Sequence, residues 1–160
     1  LMQEMLALRP KFKVSKTLLE ISKAGYKGRK NNKGFYKYDE KGKKVSGQID
    51  ADIYSFYGGN TRTKFDANEI HMRCAMAMVN EAALCLQENV ITHTLDGDIG
   101  AVFGLGFPPF RGGPFRYIDT VGAQQVVDIL NDLTAKHGER FEPAQILIDY
   151  AKSNKKFYDK

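Results

Sequence analysis

Apolar residues recur with helical spacing over several stretches of the chain. The clearest run follows Asp66, where Met72, Met76, Val79, Ala83, Leu86 and Val90 repeat at steps of four and three and mark one helix face. Asp66 and Glu69 stand at the D-x-x-E spacing of a capping box, so the helix is expected to run from there to about Asn89. Ile70, Cys74, Ala77, Met78, Ala82 and Cys85 are apolar on other faces, which predicts a central position. A further helix is predicted from Gly122 to Lys136, with Ala123, Val126, Val127, Leu130 and Leu133 on one side. Another is expected to begin at Pro143, facing inward through Ile146, Leu147, Tyr150 and Ala151. Nearer the start, Ser15 can cap a short helix bearing Leu18, Leu19 and Ile21 and stopped by Gly25; Leu1 to Leu8 reads as the end of another. Residues 39–65 are rich in Lys, Gly, Asp and Ser and read as a linker, with a short helix from Asp50 to Phe56. No alternating strand pattern stands out, so the expected class is all-α.

Between the helices lies Asp96 to Asp119, DGDIGAVFGLGFPPFRGGPFRYID, in which six glycines and three prolines sit among aromatics. Gly104 and Gly106 can end a helix through positive φ, Pro108 and Pro109 forbid helix, and Pro114 suits the first turn of a new one. Phe103, Phe107, Phe110, Phe115 and Tyr117 predict a packed corner rather than a dangling loop.

Composition narrows the function. Forty-two per cent of the 160 residues are hydrophobic, enough for a core, yet no run approaches the length of a membrane span. Leu1 to Lys16 lacks the order of a signal peptide, and the absence of an opening Met makes a piece of a longer protein the expectation. Residues 1–44 hold 13 Lys/Arg against 4 Asp/Glu, while residues 45–160 hold 11 against 15, so the positive charge belongs to the first quarter. That segment, with Phe35, Tyr36 and Tyr38, could bind nucleic acid or an anionic membrane, although its spacing matches no nucleic-acid fold and a solvated basic loop is the plainer reading. Cys74 and Cys85 lie about 16 Å apart along a helix and cannot bridge within it; free thiols are expected.

The chemical candidates are few. Gly104-Leu105-Gly106 lacks the third glycine and the preceding strand of a dinucleotide-binding turn, and the prolines after it supply no N–H. His71, His93 and His137 have no metal-site or triad partners and read as surface or capping residues. Asn80-Glu81, in an apolar setting, is either a hydrogen-bonded anchor for a neighbouring loop, the favoured reading, or a substrate-facing pair. Arg111 and Arg116 flank the second glycine pair. A salt bridge to Asp119 or another acid is the first expectation for them; a phosphate or carboxylate subsite, helped by the helix start near Pro114, is the second. No catalytic, cofactor or metal residue is assigned.

One echo suggests duplication. Leu18 to Lys23 followed by Lys33-Gly34-Phe35-Tyr36 parallels Ile146 to Lys152 followed by Lys155-Lys156-Phe157-Tyr158, each an apolar helix, a basic loop and Phe-Tyr. Residues 1–38 then read as the tail of a first repeat and 66–160 as a second.

The corner, GDIGAVFGLGFPPFRGGPFRYID, preceded by VNEAALCLQENVI, resembles the last domain of the multifunctional α subunits of the 3-hydroxyacyl-CoA dehydrogenase family, mitochondrial and bacterial. GRKNNKGFYKY resembles the segment closing that family's first C-terminal domain. The resemblance covers most of residues 15–158. It implies a helical domain similar to the C-terminal domain of 6-phosphogluconate dehydrogenase, here as the end of one copy and the whole of a second. In such a parent, NAD binds a Rossmann region, an enoyl-CoA hydratase region lies further upstream, and the dehydrogenase His–Glu pair lies in the NAD-binding region. No position here matches those motifs. Asn80 falls where the first helical copy places a substrate-side asparagine, but this is the second copy and the role is not carried over. The implied partners are the Rossmann and hydratase regions and a thiolase β subunit, with peripheral membrane contact of the whole complex and no nucleic acid. The implied place is the mitochondrion, or the cytoplasm for a bacterial source. The fragment alone is expected to be inactive, to hold no cofactor and to self-associate through exposed apolar surface.

Overall fold

The computed structural model describes residues 9–13, 15–59, 61 and 63–158. The helix end expected at Leu1–Leu8 lies outside them. The chain forms two compact units that divide between Lys64 and Phe65.

In the first unit, α1 spans Lys16–Lys23 and buries Ile21. Ser15 precedes it with extended backbone, but its side chain makes no capping hydrogen bond. Gly25, at φ 81°, turns the chain away, and its N–H donates to the Ser22 carbonyl. The absence of strands is corrected here. Strand β1, Tyr36–Tyr38, pairs antiparallel with β2, Lys44–Ile49, placing Tyr36 opposite Ile49 and Tyr38 opposite Lys44. Asp39 builds the turn, its Oδ1 accepting from the N–H groups of Lys41 at 2.9 Å and Lys43 at 2.8 Å, with Gly42 at φ 70°. The ribbon left no alternation to read because both of its faces are largely exposed, so neither selects apolar residues. The stretch 39–65, read as linker, thus holds a strand and a 3-10 helix, Ala51–Tyr57. Asp50 caps that helix by accepting from the Asp52 N–H at 3.2 Å. Ile53 is buried, the 3-10 helix packs on α1, and Phe56 meets Tyr26 edge to face at 5.4 Å.

The second unit is helical throughout: α2 (Ala67–Gln87), α3 (Thr94–Leu105), α4 (Pro114–Val121), α5 (Ala123–His137) and α6 (Gln145–Ser153). Short 3-10 helices at Pro109–Arg111 and Glu139–Phe141 join them. The chain as a whole is mostly helical, and the all-α class holds. Asp66 caps α2 as its spacing predicts, its Oδ1 accepting from the Glu69 N–H at 3.0 Å. Helix α2 packs against α3, α4, α5 and α6 and buries Met76, Val79, Asn80 and Ala83. Around them close Phe107, Phe115, Ile118, Val126, Leu130, Phe141 and Leu147.

Three expectations move. Helix α2 ends at Gln87, so Val90 falls beyond the core face and is exposed. The last helix starts at Gln145 rather than Pro143, because the Ala144 N–H is held by the Asn80 side chain. The corner is packed only in part: Phe107 and Phe115 are buried, but Phe103 is 86 %, Leu105 74 % and Phe110 82 % exposed.

The contrast is testable by urea unfolding followed by circular dichroism. Leu130→Ala, at a fully buried site, is expected to cost the second unit about 2–5 kcal/mol. Phe110→Ser should change its stability by no more than about 0.5 kcal/mol.

Candidate functional site

Helix α4 opens on Gly113-Pro114 and has no side-chain cap of its own. Pro114 has no N–H to satisfy, which leaves Phe115 and Arg116 as the first free donors of the helix. Asp98, buried on α3, supplies the acceptor for both. Its Oδ1 accepts from the Phe115 N–H at 2.7 Å and its Oδ2 from the Arg116 N–H at 3.2 Å. The Tyr158 hydroxyl donates to the same Oδ2 at 2.7 Å. The carboxylate thus caps a helix on another segment of chain, in the favourable field of that helix's N-terminus. The approach requires glycine: a Cβ added at Gly113, which sits at φ 113°, would collide with the Asp98 side chain.

Burial pushes the Asp98 carboxyl above the ordinary aspartate value, against the lowering pull of the Tyr158 hydroxyl, the Phe115 and Arg116 N–H groups and the Arg116 charge. Tyr158 is raised as well, first by burial and then by donating its hydroxyl hydrogen to Asp98, against a lowering contact with Thr94.

The residues after α6 complete the cluster. Asn154, at φ 52°, ends the helix, and the chain returns to α4. Asp119 receives it, accepting from the Phe157 N–H at 2.8 Å and the Tyr158 N–H at 2.9 Å. The Phe157 ring stacks on Tyr150 at 4.2 Å and tilts against Phe115 at 5.0 Å. The Arg116 guanidinium lies over the Tyr158 ring at 3.5 Å.

These contacts place the two candidate arginines differently. Arg116 joins the Asp98–Tyr158 cluster. Arg111 stays outside it, over Phe110 at 5.5 Å and Tyr117 at 6.0 Å. Of the acids expected beside them, Asp119 or another, the structure sets Asp98 beside Arg116, whose charge acts on its carboxyl, while both Asp119 oxygens accept from the backbone of Phe157 and Tyr158. The helix start expected to favour an incoming anion already holds the chain's own carboxylate, so it offers no free N–H pair to a phosphate.

Asn80 is an anchor. Its Nδ2 donates to the Glu142 carbonyl and its Oδ1 accepts from the Ala144 N–H, both at 2.8 Å, fixing the loop that enters α6. Gln87 adds a second tie by accepting from the Ile146 N–H at 3.0 Å. Among the described residues, Asn80 and Asp98 are the buried polar side chains, and each holds backbone. Gly106 ends α3 at φ 75°, with the Phe107 N–H returning to the Ala101 carbonyl at 3.0 Å, so the Gly-Leu-Gly turn is a helix end. His137 Nε2 lies 3.0 Å from Glu69 Oε1, His93 precedes α3 without capping it, and His71 is exposed. Neither Cys74 nor Cys85 forms a disulfide. Among the described residues, no group of three or more His, Cys, Asp and Glu side chains could hold a metal ion. No described helix is long and apolar enough to cross a membrane.

Sequence reasoning passed over Asp98, took Asp119 only as an ion-pair partner and met Tyr158 only in the Phe-Tyr echo. A signal existed at Asp98: a helix opening Gly-Gly-Pro has no Ser, Thr, Asp or Asn cap and must borrow one. Nothing local said from where.

The fold and this cluster define a helical domain whose buried polar groups secure a corner between helices. Residues 70–158, more than half of the chain, match the family model of the 3-hydroxyacyl-CoA dehydrogenase C-terminal domain. The chain belongs to the 3-hydroxyacyl-CoA dehydrogenase family and carries the C-terminal domain of such an enzyme.

Asp98→Asn should destabilise the second unit by about 1–3 kcal/mol at neutral pH, since one backbone N–H loses its acceptor. Because the folded carboxyl titrates above its unfolded value, Asp98 binds its proton more tightly in the native state. Its contribution is fully present below the ordinary value of 3.8 and is lost as pH rises through the folded value. The cost of Asp98→Asn is therefore expected to be largest in acid and to shrink as pH rises across that window, read from urea midpoints at a series of pH values. Gly113→Ala should lower the midpoint at every pH.

Proposed function

We propose that this chain is the C-terminal helical part of a multifunctional fatty-acid β-oxidation α subunit, of the mitochondrial trifunctional-enzyme type, and that its role there is packing rather than chemistry. In the parent, the hydratase region adds water to a 2-enoyl-CoA and the Rossmann region passes hydride from the 3-hydroxyacyl-CoA to NAD. The second unit completes the helical platform beside the Rossmann region. Residues 1–38 are the tail of a preceding copy of the same helical domain. The observation that carries this reading is the use made of Asn80 and Asp98. Each is buried and each is spent on the chain's own groups, Asn80 on backbone at both ends of its amide and Asp98 on two backbone N–H groups and the Tyr158 hydroxyl. The corner motif and the family match supply the enzyme context. The reading brings with it a thiolase β subunit as the parent's partner, a mitochondrial location and membrane contact made by the assembled complex.

The test is NADH oxidation with acetoacetyl-CoA. The expected outcome is no turnover by this chain and turnover by a longer chain that includes the Rossmann region. Turnover by the 160-residue chain alone would overturn the assignment.

A further inference from the structure

Two loops of the first unit are basic, and the fold sets them side by side. Residues 28–33 close into a tight hairpin: the Gly28 N–H donates to the Lys33 carbonyl at 2.8 Å and the Asn31 N–H to the Gly28 carbonyl at 3.2 Å. The Asn31 amide secures its base, accepting from the Lys27 N–H at 3.3 Å and donating to the Gly25 carbonyl at 2.6 Å. Tyr38 of β1 draws this loop back onto the ribbon. A Cβ added at Gly34 would meet the Tyr38 hydroxyl at 3.2 Å and one at Gly28 at 3.4 Å, so bare backbone lets the two segments close up. The β1–β2 turn completes the contact: a Cβ at Gly42 would lie 3.2 Å from the Asn32 side-chain oxygen and 3.8 Å from the Arg29 carbonyl.

Arg29, Lys30 and Lys33 from one loop and Lys41, Lys43 and Lys44 from the other are therefore neighbours, and all six are exposed. Two of the ammonium groups are positioned by rings, Lys33 over Tyr26 at 4.5 Å and Lys44 over Tyr36 at 4.3 Å. Two acids share this end of the ribbon. Asp39 Oδ1 is taken up by the Lys41 and Lys43 N–H groups of the turn, and Glu40 is exposed. Asp50 and Asp52 stand at the opposite end, past the Tyr36–Ile49 pair. The field at the paired loops favours an anion.

The residues of the patch select among anions. A nucleic-acid strand is held by bases stacked on open aromatic faces, but the loop tips carry no aromatic and Tyr26 and Tyr36 each have a lysine over the ring. An anionic bilayer takes apolar side chains along with basic ones, and neither Arg29-Lys30-Asn31-Asn32 nor Glu40-Lys41-Gly42-Lys43 offers any. Two abutting loops with guanidinium and ammonium groups suit a few closely spaced phosphates. We propose that loops 28–33 and 39–44 bind the 3′-phosphoadenosine diphosphate end of coenzyme A thioesters. Its 3′-phosphate and pyrophosphate are held there by charge, and the acyl end is left to the catalytic regions of the parent. The site rests on the β-oxidation reading for the identity of its ligand and deepens it by giving the first unit a part in substrate retention.

Titration of the ¹⁵N-labelled full chain with coenzyme A at low salt, followed by amide shifts, tests it. The shifts are expected to fall on residues 28–33 and 39–44 and to weaken as NaCl is raised from about 20 to about 200 mM. 3′-Dephospho-coenzyme A should bind roughly threefold or more weakly, having lost one phosphate. Lys30→Gln with Lys41→Gln should weaken coenzyme A binding by roughly three- to tenfold with circular dichroism unchanged, since both side chains are exposed. Lys136→Gln with Lys152→Gln, exposed lysines of the second unit, should leave it unchanged. No shift at low salt, shifts centred elsewhere, equal affinity for 3′-dephospho-coenzyme A, or equal loss with both lysine pairs would overturn the proposal. So would tighter binding of the same loops to a single-stranded oligonucleotide or to phosphatidylcholine–cardiolipin vesicles. Turnover of acetoacetyl-CoA by the longer chain is read separately: turnover there without binding here removes this site alone, and binding here without turnover there removes the functional assignment alone.

Discussion

A single carboxylate joins the parts of the second unit. Asp98 sits on α3, caps the N-terminus of α4 and takes the hydroxyl of Tyr158 from the end of the chain. Burying a carboxylate costs several kcal/mol unless its lone pairs are met. Here they are met by two backbone donors at a helix N-terminus and by a phenol, each a charge-assisted bond of about 1.5–3 kcal/mol. The balance still favours the protonated acid somewhat more than water does. The structural consequence outweighs that cost, because without the acceptor the Phe115 and Arg116 N–H groups would be left at the start of a helix whose first residues are buried.

The rest of the corner serves that contact. Gly113 is where backbone must pass against Asp98, and Pro114 removes the one donor the carboxylate does not reach. Gly97, on the same turn of α3 as Asp98, leaves room for the Phe115 ring, which a Cβ there would strike. Asp119, one helical turn past Arg116, repeats the device by holding the backbone of Phe157 and Tyr158. Asn80 does so again at the loop before α6. In three places a polar side chain on one helix holds the backbone of another segment that lacks partners of its own, once a helix start and twice a loop. Each ties together segments distant in sequence, and this fixes α3, α4 and α6 around α2.

Securing the corner from within leaves its outer side free of structural duty. Phe103, Leu105 and Phe110 contribute nothing to the core of this unit. An apolar surface with no internal role is the feature expected of a domain whose work is to pack against another.

Much of this was legible in the chain. The 3.6-residue recurrence from Met72 to Leu86 marked α2, Asp66 marked its start, and Gly106 and Pro114 marked the two sides of the corner, because those signals act within a few residues. The corner motif carried the family, and Asn80 in an apolar run announced a buried anchor. The ribbon at Tyr36–Tyr38 and Lys44–Ile49 escaped, since a two-stranded sheet exposed on both faces imposes no alternation. The borrowed caps escaped as well: Asp98 and Phe115 are 17 residues apart, and Asp98 and Tyr158 are 60. Which aromatics of the corner turned inward was likewise not local information. Phe103 and Phe115 are chemically the same residue, and only the placing of α2 and α5 behind one of them made it core and left the other as surface.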